Sequence, residues 1–251
     1  MPVLLMVGIV AVMVGTAFLS GIFGMAGGMI LIGVLLAVMP VADAMALHAV
    51  TQMASNAWRA ALWYRYISWR PVAAYCAGAL LALVLWSVNR YVPGKAVAML
   101  LLGATPFAIQ TLPARIRPNP AIIWHGILNG VVCMALLLLT GVAGPMIDRF
   151  FLGGNLDRRQ IVASKAACQV FGHFAKLIYF AGLVDQTAQL DWRLAVAAVL
   201  ASMLGTTLAR KLLEAMTDAQ FRRWAGRIIT TICAYYVVYG LYLLAVERGL
   251  A

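Results

Sequence analysis

Acidic side chains are scarce in this sequence. Asp and Glu number 8 in 251 residues, against 19 Lys and Arg. Charged residues make up 11% of the chain, where a soluble protein carries about 25%. The few acids stand mostly between the apolar runs, so no paired carboxylates are available for acid–base work in a core. No Ser/His/Asp set accompanies them, which argues against a membrane enzyme. Cysteine is sparse too. Cys76, Cys133, Cys168 and Cys233 are far apart, lie in apolar segments and show no metal-ligand spacing. No metal and no cofactor is expected. Met1-Pro2-Val3 lacks a basic leader region and the first apolar run lacks a cleavage site, so it reads as a retained first helix. A lipidation box and a soluble domain are also missing.

What is there is hydrophobic length. Apolar residues are 64% of the chain, and the mean hydropathy is +0.93. The chain is an integral membrane protein whose partner is the lipid bilayer. Long unbroken runs favour helices over a barrel, whose strands alternate over about 10 residues. The net charge of +11 would point to nucleic acid in a soluble protein. Here the bases stand in short loops between apolar runs, which is the positive-inside pattern, and nucleic acid is not expected. The excess of bases leaves room for an anionic solute.

Apolar runs cover about 3–20, 28–39, 44–64, 71–88, 95–113, 121–140, 145–153, 161–183, 191–209 and 222–247. Two are too short to cross. Residues 28–39 reach roughly 18 Å and 145–153 roughly 14 Å, against an apolar bilayer core of about 30 Å. Each follows a glycine-containing break, Gly21 to Gly28 in one case and Gly141-Val142-Ala143-Gly144-Pro145 in the other. Irregular backbone at membrane depth needs cover from protein or a watery cavity. Two broken helices in corresponding halves point to a transporter binding site.

The halves correspond elsewhere. His48, Gln52, Asn56 and Arg59 fall on one helix face, and so do Lys165, Gln169, His173 and Lys176 exactly 117 residues later. Gly21-x-x-Gly24 answers Gly141-x-x-Gly144, and Trp69-Arg70 answers Trp192-Arg193. Treating the two short pieces as returning segments puts twelve loop bases on one side and four on the other. Five units per half make the repeats inverted, with both termini periplasmic. The fold expected is an all-α polytopic membrane protein with repeats at 1–115 and 116–251. It has about eight full transmembrane helices plus two short half-helices. Trp63, Trp69, Trp86, Trp124, Trp192 and Trp224 mark interfacial belts.

These landmarks resemble the TauE/SafE family of sulfite and organosulfonate exporters over almost the whole chain. The first-half signature is Gly21-Ile22-Phe23-Gly24-Met25-Ala26-Gly27-Gly28-Met29-Ile30-Leu31, then Pro40, the Thr51 to Asn56 helix, Tyr64-Arg65 and Trp69-Arg70. The second is Gly141-x-x-Gly144-Pro145, the Gln169 to Lys176 helix and Asp191-Trp192-Arg193. Met25 and Ala26 dilute the glycine cluster, and Met146 stands where the family often has a second proline. The resemblance implies export of a small sulfur oxyanion or related organic anion across the bacterial inner membrane. A channel, or an uptake permease for another small oxyanion or carboxylate, is the alternative.

The residues agree with an anion. Arg59 and Lys176 are bases on matched faces, one a planar fork of donors and the other a point charge. Gln52, Gln169, Asn56 and Ser55 supply neutral donors. The half-helices beginning near Gly24, Gly27, Gly28, Gly144 and Pro145 aim positive dipole ends at the midplane. Gln52, Asn56 and Arg59 are expected to face Gln169, His173 and Lys176 across one anion. His173 and His48 are candidates for proton coupling, since histidine titrates near physiological pH. Lys165, near a helix start, reads as an interfacial anchor. Asp43, Asn155 and Asp157 read as helix N-caps. A homodimer fits the small size and apolar faces, which lipid would cover equally well.

Overall fold

The computed structural model describes residues 3–23, 25–113, 118–184 and 188–249. Gly24, Arg115 and Arg117, which figured in the site and in the charge bias, lie outside the described residues. Each of the ten apolar runs holds one helix. In chain order these are α1 (Val3–Phe23), α2 (Met25–Val38), α3 (Val41–Leu62), α4 (Trp69–Asn89), α5 (Lys95–Thr111), α6 (Ile123–Thr140), α7 (Gly144–Phe151), α8 (Arg158–Ile178), α9 (Trp192–Ala215) and α10 (Asp218–Glu247). There is no strand among the described residues.

Six helices are long and apolar enough to cross a membrane: α1, α4, α6, α8 with its continuation to Leu183, and parts of α9 and α10. The chain is therefore a multi-pass membrane protein. Helices α2 and α5 are apolar but shorter. Helix α3 has the length, 22 residues, or roughly 33 Å. Its polar stripe keeps it out of the apolar group. At 14 and 8 residues, α2 and α7 are the two short pieces, about 21 and 12 Å long.

Local signals set the helix ends. Gly141 ends α6 in the left-handed region at φ 82°, and its N–H donates to Leu137 O at 3.0 Å. A side chain there is strained, so the break needs glycine. Pro145 then sits in the first turn of α7, where its missing N–H costs nothing. Asp157 caps α8 as expected. Its carboxylate accepts from Arg159 N at 2.8 Å and Gln160 N at 2.9 Å, and Gln160 Oε1 accepts from Asp157 N at 3.1 Å. The other two expected caps are not caps. Asn155 lies two residues before Asp157, in the preceding turn. Asp43 lies inside the first turn of α3, after Pro40, and its carboxylate accepts from Gln189 N at 2.8 Å.

Four helix pairs carry most of the packing: α1 with α9, α4 with α6, α5 with α10, and α3 with α8. Lipid tails match Leu in polarity, so close backbone approach has to drive such pairing. Glycines permit it. A Cβ on Gly78 of α4 would stand 1.9 Å from Ile127 O of α6, and one on Gly205 of α9 would stand 2.4 Å from Val14 O of α1. Leu80, Leu81, Val84 and Leu85 of α4 and Leu200, Leu204 and Leu208 of α9 point outward and are exposed. Trp63, Trp69, Trp124, Trp192 and Trp224 are exposed at or near helix ends, the place of an interfacial belt.

Candidate functional site

The two polar stripes come together because α3 packs along α8. They run in opposite directions. His48, early in α3, meets Lys176, late in α8, and Ser68 N beyond α3 donates to Ser164 Oγ early in α8 at 2.9 Å. The positions 117 apart are therefore not, as a set, opposite one another.

Between the stripes is a cavity of about 20 Å³ lined by Gly28, His48, Gln52, Leu137, Val142, Ala143, Gly144, Ile147, Gln169 and His173. That is room for about one water. Helix α2 contributes Gly28, and the N-terminal end of α7 contributes Gly144. A methyl on Gly28 would press on the Gln52 amide at 3.2 Å. Gly28→Ala is expected to fold normally, with an unchanged elution profile after detergent extraction; loss of the folded peak would make Gly28 a packing residue and not part of the cavity wall.

Lys176 is completely buried behind this cavity. Its Nζ donates to His48 Nδ1 at 2.8 Å and to Gly141 O at 3.2 Å. His48 Nε2 is 3.0 Å from Gly28 O. A carbonyl only accepts, so Nε2 carries the hydrogen and Nδ1 is the acceptor. The chain of donors thus runs from Lys176 through His48 to Gly28, and one ammonium N–H is left over. Among the described residues no carboxylate forms an ion pair with Lys176; Asp148 pairs with Lys165. His173 stands edge-on to His48 with ring centroids 5.5 Å apart, and its buried Nδ1 has no partner among the described residues.

The remaining expected site residues lie elsewhere. Ser55 Oγ is 3.1 Å from Thr206 Oγ1 on α9. Asn56 Nδ2 donates to Gln52 O of its own helix at 2.8 Å. Arg59 is half-buried one turn further on, within electrostatic reach of Asp148. Gly27 packs on α1. Pro145 lines a separate pocket of about 10 Å³ with Met29, Leu102, Thr105, Pro106, Thr140 and Val142. Two carbonyls, Gly28 O and Gly141 O, were not anticipated; the two glycine breaks are their only trace in the sequence. Among the described residues no group of three or more His, Cys, Asp and Glu could hold a metal ion.

The family described as sulfite exporter TauE/SafE matches residues 7–236. The chain belongs to the TauE/SafE family. No curated protein and no solved structure gave a match. TauE/SafE proteins are described as sulfite exporters, a family of transporters of a small anion and not of enzymes. The match spans both glycine breaks, both stripes and the whole cavity lining.

Proposed function

We propose that this chain is a secondary transporter that exports a small oxyanion, sulfite or an organosulfonate, across the bacterial inner membrane. The observation that carries this reading is the buried Lys176. A buried ammonium without a counter-ion is costly. An anion seated among Gln52, Gln169 and His173 supplies that counter-ion and takes hydrogen bonds from two neutral amides. The N-terminal end of α7, with its positive dipole end, stands on the same cavity.

Alternating access between two inverted repeats is the mechanism. Its support is the packing pattern. Exchanging α1–α5 for α6–α10 turns the α1–α9 pair into the α6–α4 pair. It returns the α3–α8 and α5–α10 pairs to themselves. Such a pattern fits a pseudo-twofold axis between halves of five helices each, with α2 and α7 as half-helices and about eight full crossings. The cavity size favours a carrier over a channel, since an oxyanion larger than one water enters only when the surrounding helices move apart.

The deciding experiment is counterflow of labelled sulfite in proteoliposomes. Saturable uptake of label driven by unlabelled sulfite inside is expected. Unitary currents across a planar bilayer, with no counterflow, would make the protein a channel.

A further inference from the structure

The antiparallel pairing of α3 and α8 has a second end. His48 and Arg59 are eleven residues apart, and so are Lys165 and Lys176, or roughly 16 Å along each helix. The contact between His48 and Lys176 at one end therefore implies that Arg59 and Lys165 approach one another at the other. Equivalent positions agree: 117 residues after His48 comes Lys165, and 117 after Arg59 comes Lys176. The equivalence extends to a third member. Gly21 answers Gly141 at an offset of 120, and the same offset takes Gly28 to Asp148. Where Gly28 O accepts from His48 at the buried end, the Asp148 carboxylate forms an ion pair with Lys165 at the other. Arg59 stands within electrostatic reach of the same carboxylate that pairs with Lys165, so two bases share one acid. Unlike Lys176, this cluster is open to solvent: the Lys165 and Asp148 side chains are 27% and 34% exposed.

We propose that Lys165 and Arg59 form a second oxyanion-binding station at the open end of the α3–α8 pair, with the Asp148 carboxylate occupying the anion's place until cargo displaces it. The inference rests on the transport reading above for its cargo. An oxyanion presents the same acceptor pair as the carboxylate and can take the same fork of donors. The cluster has two bases for one acid, so it keeps net positive charge and attracts an anion even before Asp148 leaves. Asp148 also links the two stations. It sits on α7, next to Ile147, which lines the central cavity, and four residues after Gly144, which does so too. Releasing Asp148 from Lys165 frees the helix that walls the inner site.

The test uses the purified full-length protein with sulfite as probe, read as the concentration giving half-maximal thermal stabilisation. Asp148→Asn removes the resident carboxylate and is expected to lower that concentration about three- to fivefold, the factor that a partly exposed ion pair is worth. Asp148→Glu is expected to match the wild type. Adding Lys165→Gln to Asp148→Asn is expected to erase the gain. An Asp148→Asn protein stabilised no more readily than the wild type overturns the proposal. Should that variant not fold, Lys165→Gln alone is expected to raise the concentration by a similar factor, and an unchanged value overturns it equally. Stabilisation of Asp148→Asn without sulfite flux in wild-type vesicles would remove the transport reading and leave the station. Flux in the wild type with no change in Asp148→Asn would do the reverse.

Discussion

Replacing Lys176 with Met is expected to abolish sulfite transport while leaving the protein as stable as before or more so. The two effects have one cause. Met keeps the length and the apolar stem, so the space behind the cavity stays filled. What is lost is the buried ammonium, and replacing a buried charge by an apolar group of similar volume is often neutral or stabilising. In the proposed site the anion loses the ammonium N–H that Lys176 has not committed to His48 or Gly141. Hydrogen bonds to charged groups contribute about 1.5–3 kcal/mol, equivalent to roughly 10- to 150-fold in affinity. His48 Nδ1 and Gly141 O lose their donor in the same step, which offsets part of the gain from removing the charge, while Nε2–H stays bonded to Gly28 O. Sulfite-dependent thermal stabilisation and tracer flux, measured on the same preparation, check both halves. Wild-type flux in Lys176→Met would sink the anion site as drawn. A lower melting temperature with intact sulfite affinity would make Lys176 a structural group.

The other large effect belongs to Gly27, and it concerns folding. A methyl at this position would lie 1.9 Å from Thr16 O and 2.6 Å from Ser20 N, both backbone atoms of α1. Neither can rotate away, so α1 and α2 would have to separate by more than an ångström. Overpacking in a tight interface costs about 1–3 kcal/mol, and more where backbone must shift. Gly27→Ala is expected to lose the monodisperse peak after detergent extraction, whereas Gly28→Ala keeps it. The contrast separates neighbouring glycines by role, the first for helix spacing and the second for access to Gln52. A well-folded Gly27→Ala protein would contradict the α1–α2 spacing described above.

Much of the architecture could be read from local sequence. Ten apolar runs gave ten helices because apolar length, glycine breaks and a capping box at Asp157 act over a few residues each. The two short helices were visible for the same reason. The site was half legible. Gln52, Gln169, His48 and His173 of the stripes share one cavity with Gly28 and Gly144 of the glycine breaks. Arg59 does not line it, because periodicity assigns residues to a face and is silent on how far along that face the partner helix is met. A constant offset pairs positions by sequence alone, and the antiparallel packing of α3 and α8 sends positions paired that way to opposite ends. Ser55 was drawn away by Thr206 of α9, a hydroxyl pairing with no sequence signature. Asp43 bonds to Gln189, a contact between residues far apart in the chain that no capping rule contains.

In the proposed site, the bond between Lys176 and His48 sets the charge that meets the anion. Nδ1 of His48 accepts from Lys176 Nζ and Nε2–H is committed to Gly28 O, so the imidazole stays neutral while both bonds stand, and the ammonium of the proposed site is the pair's one charge. A monoanion seated against it forms a neutral unit, on which membrane voltage has no net charge to act. A dianion leaves one negative charge uncompensated, and moving that charge across the bilayer is worth about 2.3 kcal/mol per 100 mV. With a monoanion the voltage acts on the return of the empty, positive carrier and not on the loaded one.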